Sequence, residues 1–139
     1  MTAREFLGQM RTIDKRIEQR LEELARLKSQ LTRATALISD MPRGGGHKDW
    51  TDTLTHAMEL EERLAADVAD MIATKSRIRE AIDQVDDGRY RLLLEKRYII
   101  GKSWRAIARE MNYDESWVYV IHRRALRQIV VPPEEPRKV

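Results

Sequence analysis

Two long stretches of this sequence repeat their apolar residues every three or four positions, and a glycine-rich segment separates them. The first repeat runs from Phe6 to Ile38 and the second from Trp50 to Val85. This period matches one face of an α-helix, and each stretch is long enough for a helix of roughly 50 Å. The intervening Met41-Pro42-Arg43-Gly44-Gly45-Gly46 disfavours helix, because proline restricts the residue before it and glycine favours coil. We therefore expect two long helices joined by a turn.

The two stretches have similar lengths, which is typical of an antiparallel helical hairpin with coiled-coil packing. Asp49 or Thr51 is expected to cap the second helix. That helix carries adjacent apolar pairs such as Leu64-Ala65, so its apolar stripe is wider than one coiled-coil seam requires. We expect a second packing surface, either in a homodimer that forms a four-helix bundle or against a C-terminal region that folds back. Residues 1–87 are assigned to this hairpin and to oligomerisation.

The charge of the chain is unevenly distributed, although its net value is only +3. Residues 1–39 carry 8 basic and 5 acidic side chains, residues 40–87 carry 6 and 12, and residues 88–139 carry 12 and 6. A basic final third is typical of a module that binds a polyanion such as DNA. The alternative is that these charges only solvate helix faces.

Several classes of site are disfavoured by residue content. There is no cysteine, which excludes disulfides and thiolate metal sites and indicates an intracellular protein. No apolar run approaches the ~20 residues that span a bilayer, and the first residues do not resemble a secretion signal, so no membrane association is expected. His47 and His56, with Asp49 and Asp52, lack the spacing of helical metal ligands. We expect no enzyme, metal or cofactor, since no catalytic constellation or phosphate loop stands out.

The last third of the chain predicts three short helices. They run from Arg89 to Ile100, ended by Gly101; from Trp104 to Met111, capped by Ser103; and from Glu115 to about Val130, with Asp114 as the cap. Asn112 occupies the turn between the last two helices, at a position that favours positive φ, which asparagine tolerates. Three short helices with a tight second turn are typical of a helix-turn-helix domain, assigned to residues 88–130.

The last helix has two distinct faces. At 100° per residue, its apolar residues share an inner face: Val118, Ile121, Ala125 and Ile129. The outward arc holds polar, aromatic and basic residues: Ser116, Tyr119, Val120, Arg123 and Arg127. Such a helix reads base edges with its first turns and contacts phosphates with later arginines. Alternatively, Tyr119 and Val120 pack on the hairpin or on a partner, and His122, at the margin of the inner face, is a packing residue or a phosphate contact.

Residues 103–126, SWRAIAREMNYDESWVYVIHRRAL, resemble region four of bacterial sigma factors, the helix-turn-helix that reads the promoter −35 element. The resemblance implies that Glu115, Ser116, Tyr119 and Val120 face DNA, with Arg123 and Arg124 nearby. Together, both lines of reasoning give these candidate DNA-contacting residues: Ser103, Arg105, Glu115, Ser116, Tyr119, Val120, Arg123, Arg124 and Arg127.

The whole chain resembles short phage and prophage proteins with a coiled-coil N-terminal half and a sigma-region-four-like C-terminus. The Asp40-Met41-Pro42 turn, the Arg91–Tyr98 block and the Trp117-Val118-Tyr119 segment carry this resemblance. Late-gene activators of the ArpU and RinA kind share the layout. The resemblance implies transcriptional regulation of phage genes in the cytoplasm of a bacterial host, with double-stranded DNA and RNA polymerase as partners.

Two other functions stay open at this point. One is a DNA-packaging subunit resembling the small terminase, which also joins a helix-turn-helix to oligomerising helices. The other is an adaptor that binds RNA polymerase without DNA. Residues 131–139, with three prolines, are expected to be a disordered tail.

Overall fold

In a computed structural model, which describes residues 1–42, 44 and 46–133, every regular element is a helix, as predicted. The elements are α1 (Ala3–Gly8), α2 (Met10–Ser39), α3 (His47–Asp83), α4 (Gly88–Leu94), a π-helix (Glu95–Ile100), α5 (Trp104–Met111) and α6 (Glu115–Arg127). None of the helices in this part of the chain combines the length and the apolar character that a membrane span requires. Residues 131–133 have no regular secondary structure. The rest of the predicted tail, residues 134–139, lies outside the described residues, as do Arg43 and Gly45 of the predicted turn.

The first long segment is not one uninterrupted helix. It begins at Ala3, before the predicted Phe6, because Thr2 and Glu5 form a reciprocal cap in which each side chain accepts a hydrogen bond from the other's backbone N–H at 3.2 Å. α1 then ends at Gly8, and α2 starts after Gln9. Glycine is a weak helix former, which explains why the interruption falls here. The expectation of a continuous helix was wrong at this point.

α3 also begins earlier than predicted, at His47 rather than Trp50. The Trp50 N–H already donates to the Gly46 carbonyl at 3.0 Å, so helical hydrogen bonding starts within the glycine segment. Thr51 is therefore inside the helix, where its hydroxyl donates to the His47 carbonyl at 2.8 Å. Neither Asp49 nor Thr51 is the N-cap, and the expected cap was wrong.

The chain divides into two compact units, and residues Asp14–Ile72 form one of them. Leu24 of α2 is buried with Leu64 and Val68 of α3, and Arg20 Nε lies 4.0 Å from Asp67 Oδ2. Nearer the glycine segment, the end of α2 and the start of α3 line a shared apolar groove. The later residues of α2 thus lie beside the earlier residues of α3. Several large apolar side chains of this unit stay exposed: Leu21, Leu37, Trp50, Met58, Leu60 and Ile72.

The other unit combines Met1–Ile13 with Ala73–Val139. Among the described residues, it contains the largest fully buried side chains: Leu7, Ile78, Ile82, Val85, Leu93, Leu94, Ile107, Val118 and Ile121. α1 packs against α6, with Phe6 and Leu7 buried. The first thirteen residues therefore group with the C-terminal helices. Oligomerisation through residues 1–87 and DNA binding through residues 88–130 stay predictions.

The predicted helix from Arg89 to Ile100 has two parts. Asp87 caps α4 through Oδ1, which accepts from the Arg89 N–H at 2.9 Å. From Glu95 the backbone changes to a π-helix, which a sequence pattern alone does not distinguish from an α-helix. Gly101 ends it with φ +87°, as predicted.

The turn between α5 and α6 has the predicted backbone conformation, with Asn112 at φ 59° and ψ 43°. α5 has the predicted bounds, and the Ser103 hydroxyl accepts from the Ala106 N–H at 3.2 Å, so this cap is confirmed. Asp114 is the N-cap residue of α6, but its side chain makes no capping hydrogen bond. α6 ends at Arg127, earlier than the expected Val130.

The left-handed turn predicts a stability difference between two substitutions of Asn112, whose side chain is exposed. Valine is β-branched and strained at positive φ, so Asn112→Val should lower the free energy of unfolding by about 1–2 kcal/mol. Glycine adopts this conformation freely, so Asn112→Gly should stay within about 1 kcal/mol of the unaltered protein. Urea unfolding followed by circular dichroism checks both values. Equal losses in the two variants would contradict the turn assignment.

Candidate nucleic-acid interface

α6 is held to the rest of its unit by one face. Val118, Ile121 and Ala125 are buried, and α5 packs against α6 with Ile107 and Ala108 also buried. These α6 residues were predicted to form the inner face, and the structure confirms it. Because one side of α6 is fixed in the core, the other side is directed outward. The fourth predicted residue, Ile129, is buried but follows the end of α6.

The outward side of α6 brings together five of the residues that the sequence singled out. At 100° per residue they share an arc of about 100°. Four are exposed and one, Val120, is half-buried; the set is Ser116, Tyr119, Val120, Arg123 and Arg127. The Tyr119 side chain is 42% exposed, and its hydroxyl donates to Glu115 Oε1 at 3.5 Å. We call these five residues the α6 outer face.

The other four candidates lie beside this face. Glu115 and Arg124 are exposed on α6, and the Arg124 guanidinium carbon lies 5.2 Å from the ring centroid of Trp117. Ser103 and Arg105 are exposed at the start of α5, outside the outer face. The Ser103 hydroxyl already accepts a backbone hydrogen bond as a cap, so its local role is structural.

The charge of the α6 outer face is not neutralised within the described part of the chain. Across residues 1–42, 44 and 46–133, no carboxylate lies within ion-pair distance of Arg123 or Arg127. Glu110 of α5 is engaged by Lys102, in a short contact, and by Lys96 at 3.5 Å. The hydrogen bond from Lys102 is the main cause that lowers the pKa of Glu110, with both lysine charges adding to it. Among the described residues, the two cations of the outer face, Arg123 and Arg127, therefore have no ion-pair partner.

A cluster of aromatic rings borders the outer face and was missed by the sequence analysis. The Trp104 ring centroid lies 5.4 Å from that of Tyr119 and 4.5 Å from that of His122. The Arg97 guanidinium carbon lies 4.4 Å from the Trp104 centroid, a cation–π distance. One sequence signal for this cluster was present: Tyr119 and His122 are three residues apart, so their rings lie side by side on α6, at the edge of its buried face. It does not indicate which residues of other helices meet them.

His122 is a packing residue rather than a phosphate contact. Its side chain is only 5% exposed, and its Nε2 lies 2.7 Å from the Tyr98 hydroxyl oxygen, in a hydrogen bond. Burial, followed by the charges of Arg4 and Arg97, lowers the pKa of His122 to about 4. Burial also raises the pKa of Tyr98. Both rings are therefore neutral at pH 7, and of the two alternatives that the sequence left open for His122, the structure shows packing.

The histidines near the start of α3 do not form a recognisable metal centre. The His56 Nδ1 lies 2.8 Å from the Asp52 carbonyl oxygen on the helix surface. Within the described ranges, no group of three or more His, Cys, Asp or Glu side chains is placed to hold a metal ion.

Comparison with known proteins gives one family. The sequence model of a phage-associated family described as "Protein of unknown function (DUF1492)" matches residues 31–130, which include α5 and α6. No curated protein and no solved structure matches the chain. Since the family match covers more than half of the sequence, the chain belongs to the DUF1492 family.

Proposed function

We propose that this protein is a DNA-binding transcriptional regulator of phage genes that reads duplex DNA with α6. In this proposal, residues 88–130 form a helix-turn-helix resembling sigma region four, and α2 and α3 form an antiparallel helical hairpin. The single observation that carries the proposal is the α6 outer face. It presents Arg123 and Arg127 without an ion-pair partner in the described ranges, on a helix whose other side is buried.

Each residue type on the outer face suits a groove of DNA. Arg123 and Arg127, in the later turns of α6, provide planar guanidinium groups that bind phosphate oxygens through two parallel hydrogen bonds. Ser116 and Tyr119, in the first turns, have hydroxyl groups for base edges, and Val120 has methyl groups for contact with a thymine methyl. The expected complex therefore places the first turns of α6 in the major groove and its later turns at the backbone.

The layout of the chain supports the transcriptional role over a general DNA-binding role. The sequence resembles sigma region four and the ArpU and RinA kind of late-gene activator, and the family is phage-associated. A sigma-like domain is expected to act with host RNA polymerase, in the bacterial cytoplasm. The exposed apolar side chains of residues 14–72 support a homodimer, because a second copy would remove them from water.

The test is fluorescence anisotropy with duplexes from the promoters next to the gene, compared with shuffled duplexes of the same length. We expect tighter binding to one promoter duplex. With about six phosphate contacts, the logarithm of affinity should fall with the logarithm of salt concentration with a slope near −5. Equal affinity for every duplex would contradict sequence-specific regulation.

Light scattering tests the dimer in the same sample. We expect twice the 16.3 kDa mass of one chain. A mass of eight or more chains would instead favour the packaging subunit. Binding to RNA polymerase without any binding to DNA would favour the adaptor.

A further inference from the structure

Three arginines from separate segments lie close together beside α6. Arg4 is on α1, which packs against α6, and Arg11 is seven residues later, near the start of α2. Arg97 is on the π-helix. The pKa of Arg97 is lowered first by burial and next by the charge of Arg11, with a smaller effect of Arg4. All three charges also act on the Tyr98 ring, so the three guanidinium groups share one region of the unit.

This group of arginines has no counter-charge in the described structure. Across residues 1–42, 44 and 46–133, no carboxylate lies within ion-pair distance of Arg4, Arg11 or Arg97. Arg97 uses Nη1 to donate to the Lys102 carbonyl at 3.1 Å, which leaves most of its five N–H groups for another acceptor. Three like charges in one region repel one another, and an anion bound among them removes that repulsion.

The arginine group is connected to the α6 outer face through aromatic contacts. Arg97 lies 4.4 Å from the Trp104 ring, and Trp104 lies 5.4 Å from the ring of Tyr119, which is on the outer face. Arg4 and Arg11 are exposed, and Arg97 is half-buried. If α6 lies in a groove of DNA, the phosphate backbone on the Tyr119 side of that groove would therefore contact Arg4, Arg11 and Arg97.

We propose that Arg4, Arg11 and Arg97 form a second phosphate-binding surface, which holds the DNA backbone beside the groove that receives α6. This inference rests on the proposed function, and it adds the N-terminal helix to the DNA-binding machinery. The ligand is the phosphodiester backbone, because guanidinium groups fit phosphate oxygens and the three arginines lie outside the α6 outer face, which is proposed to read the bases. The surface contributes affinity and orientation, and sequence preference stays with α6.

The test compares two double variants of the full chain. Arg4→Ala with Arg11→Ala removes two exposed arginines of the proposed surface. Arg26→Ala with Arg33→Ala is the matched control, since it removes two exposed arginines of α2 and changes the net charge equally. Affinity for the promoter duplex and for a shuffled duplex is measured by fluorescence anisotropy between about 50 and 200 mM salt.

The first variant should bind both duplexes about tenfold more weakly at 0.1 M salt, with an unchanged ratio between them. Its salt slope should be shallower by about 1.8, because each lost phosphate contact removes about 0.9 from the slope. The control should keep the slope of the unaltered chain. Equal slopes in the variant and the control would overturn the second surface, although the proposed function would stand. If the unaltered chain binds no duplex, both proposals fail together.

Arg97 needs a milder change, because alanine would remove its packing on Trp104 as well as its charge. Arg97→Lys keeps the charge and loses the planar fork. We expect affinity for both duplexes to fall severalfold, with an unchanged helical circular dichroism spectrum. Unaltered affinity in this variant would also count against the surface.

Discussion

Replacing Arg123 and Arg127 together with alanine is expected to weaken binding to a promoter duplex about 100-fold at 0.1 M salt. A hydrogen bond to a charged group contributes about 1.5–3 kcal/mol, and 1.4 kcal/mol corresponds to a factor of ten in affinity. Two such contacts at the lower end of this range therefore give about 100-fold. Both side chains are exposed on the face of α6 opposite its buried residues, so the variant should keep its fold.

The pattern of this loss separates DNA reading from protein binding. The Arg26→Ala and Arg33→Ala control should lose little affinity, since α2 residues of the other unit are not part of the proposed interface. Ser116→Ala tests base reading on the same helix and should reduce the preference for the promoter duplex while largely keeping the salt slope. If removal of Arg123 and Arg127 leaves DNA affinity unchanged, α6 does not contact DNA through this face.

The free energy of unfolding should fall by about 3 kcal/mol on acidification because of His122 alone. Its pKa is 6.5 as a free side chain and about 4 in the folded protein, and each pKa unit corresponds to about 1.36 kcal/mol. Between these values the unfolded chain binds a proton that the folded chain does not, so stability rises with pH. The contribution is fully present above pH 6.5 and is lost as the pH falls towards 4. Below that value the folded state is protonated too, and this residue causes no further loss.

The acid prediction is measured as a difference between variants, because carboxylates such as Glu110 also titrate as the pH falls. The groups that face His122 are the Tyr98 hydroxyl and the charges of Arg4 and Arg97. His122→Gln keeps a hydrogen-bond acceptor for Tyr98 and does not titrate, so its urea-unfolding profile should be flatter between pH 6.5 and 4. His56→Gln, on the exposed surface of α3, is the control and should follow the unaltered chain. Identical profiles for all three proteins would show that His122 is not buried as described.

Local signals made α5, the Asn112 turn and the inner face of α6 predictable. A serine cap, a residue tolerant of positive φ and a regular apolar period each act within a few residues, so the sequence around them is sufficient. The same reasoning failed at Gln9 and at His47, where helix ends depend on small free-energy differences near glycine. It also could not indicate the π-helix, because Glu95–Ile100 has an ordinary helical composition.

The candidate site was predictable on α6 and unpredictable beyond it. The outward position of Arg123 follows from the buried position of Ile121 on the same helix. The contact between Trp104 and Tyr119, and the position of Arg4 near His122, depend on packing between distant segments. An apolar period shows that a face is buried but does not show against which element. The apolar pattern therefore did not indicate that α1 packs against α6.

The burial of Phe6 and Leu7 against the C-terminal helices determines which fragments of this protein can fold. A fragment that starts at residue 88 would lack α1, Ile78 and Ile82. The apolar surfaces that these residues bury in the full chain would then be exposed to solvent. Such a truncated polypeptide would be prone to aggregation, and its failure to bind an oligonucleotide would reveal nothing about α6. A polypeptide that joins residues 73–139 to residues 1–13 through a linker would keep both segments of this unit and its hydrophobic interior, without residues 14–72.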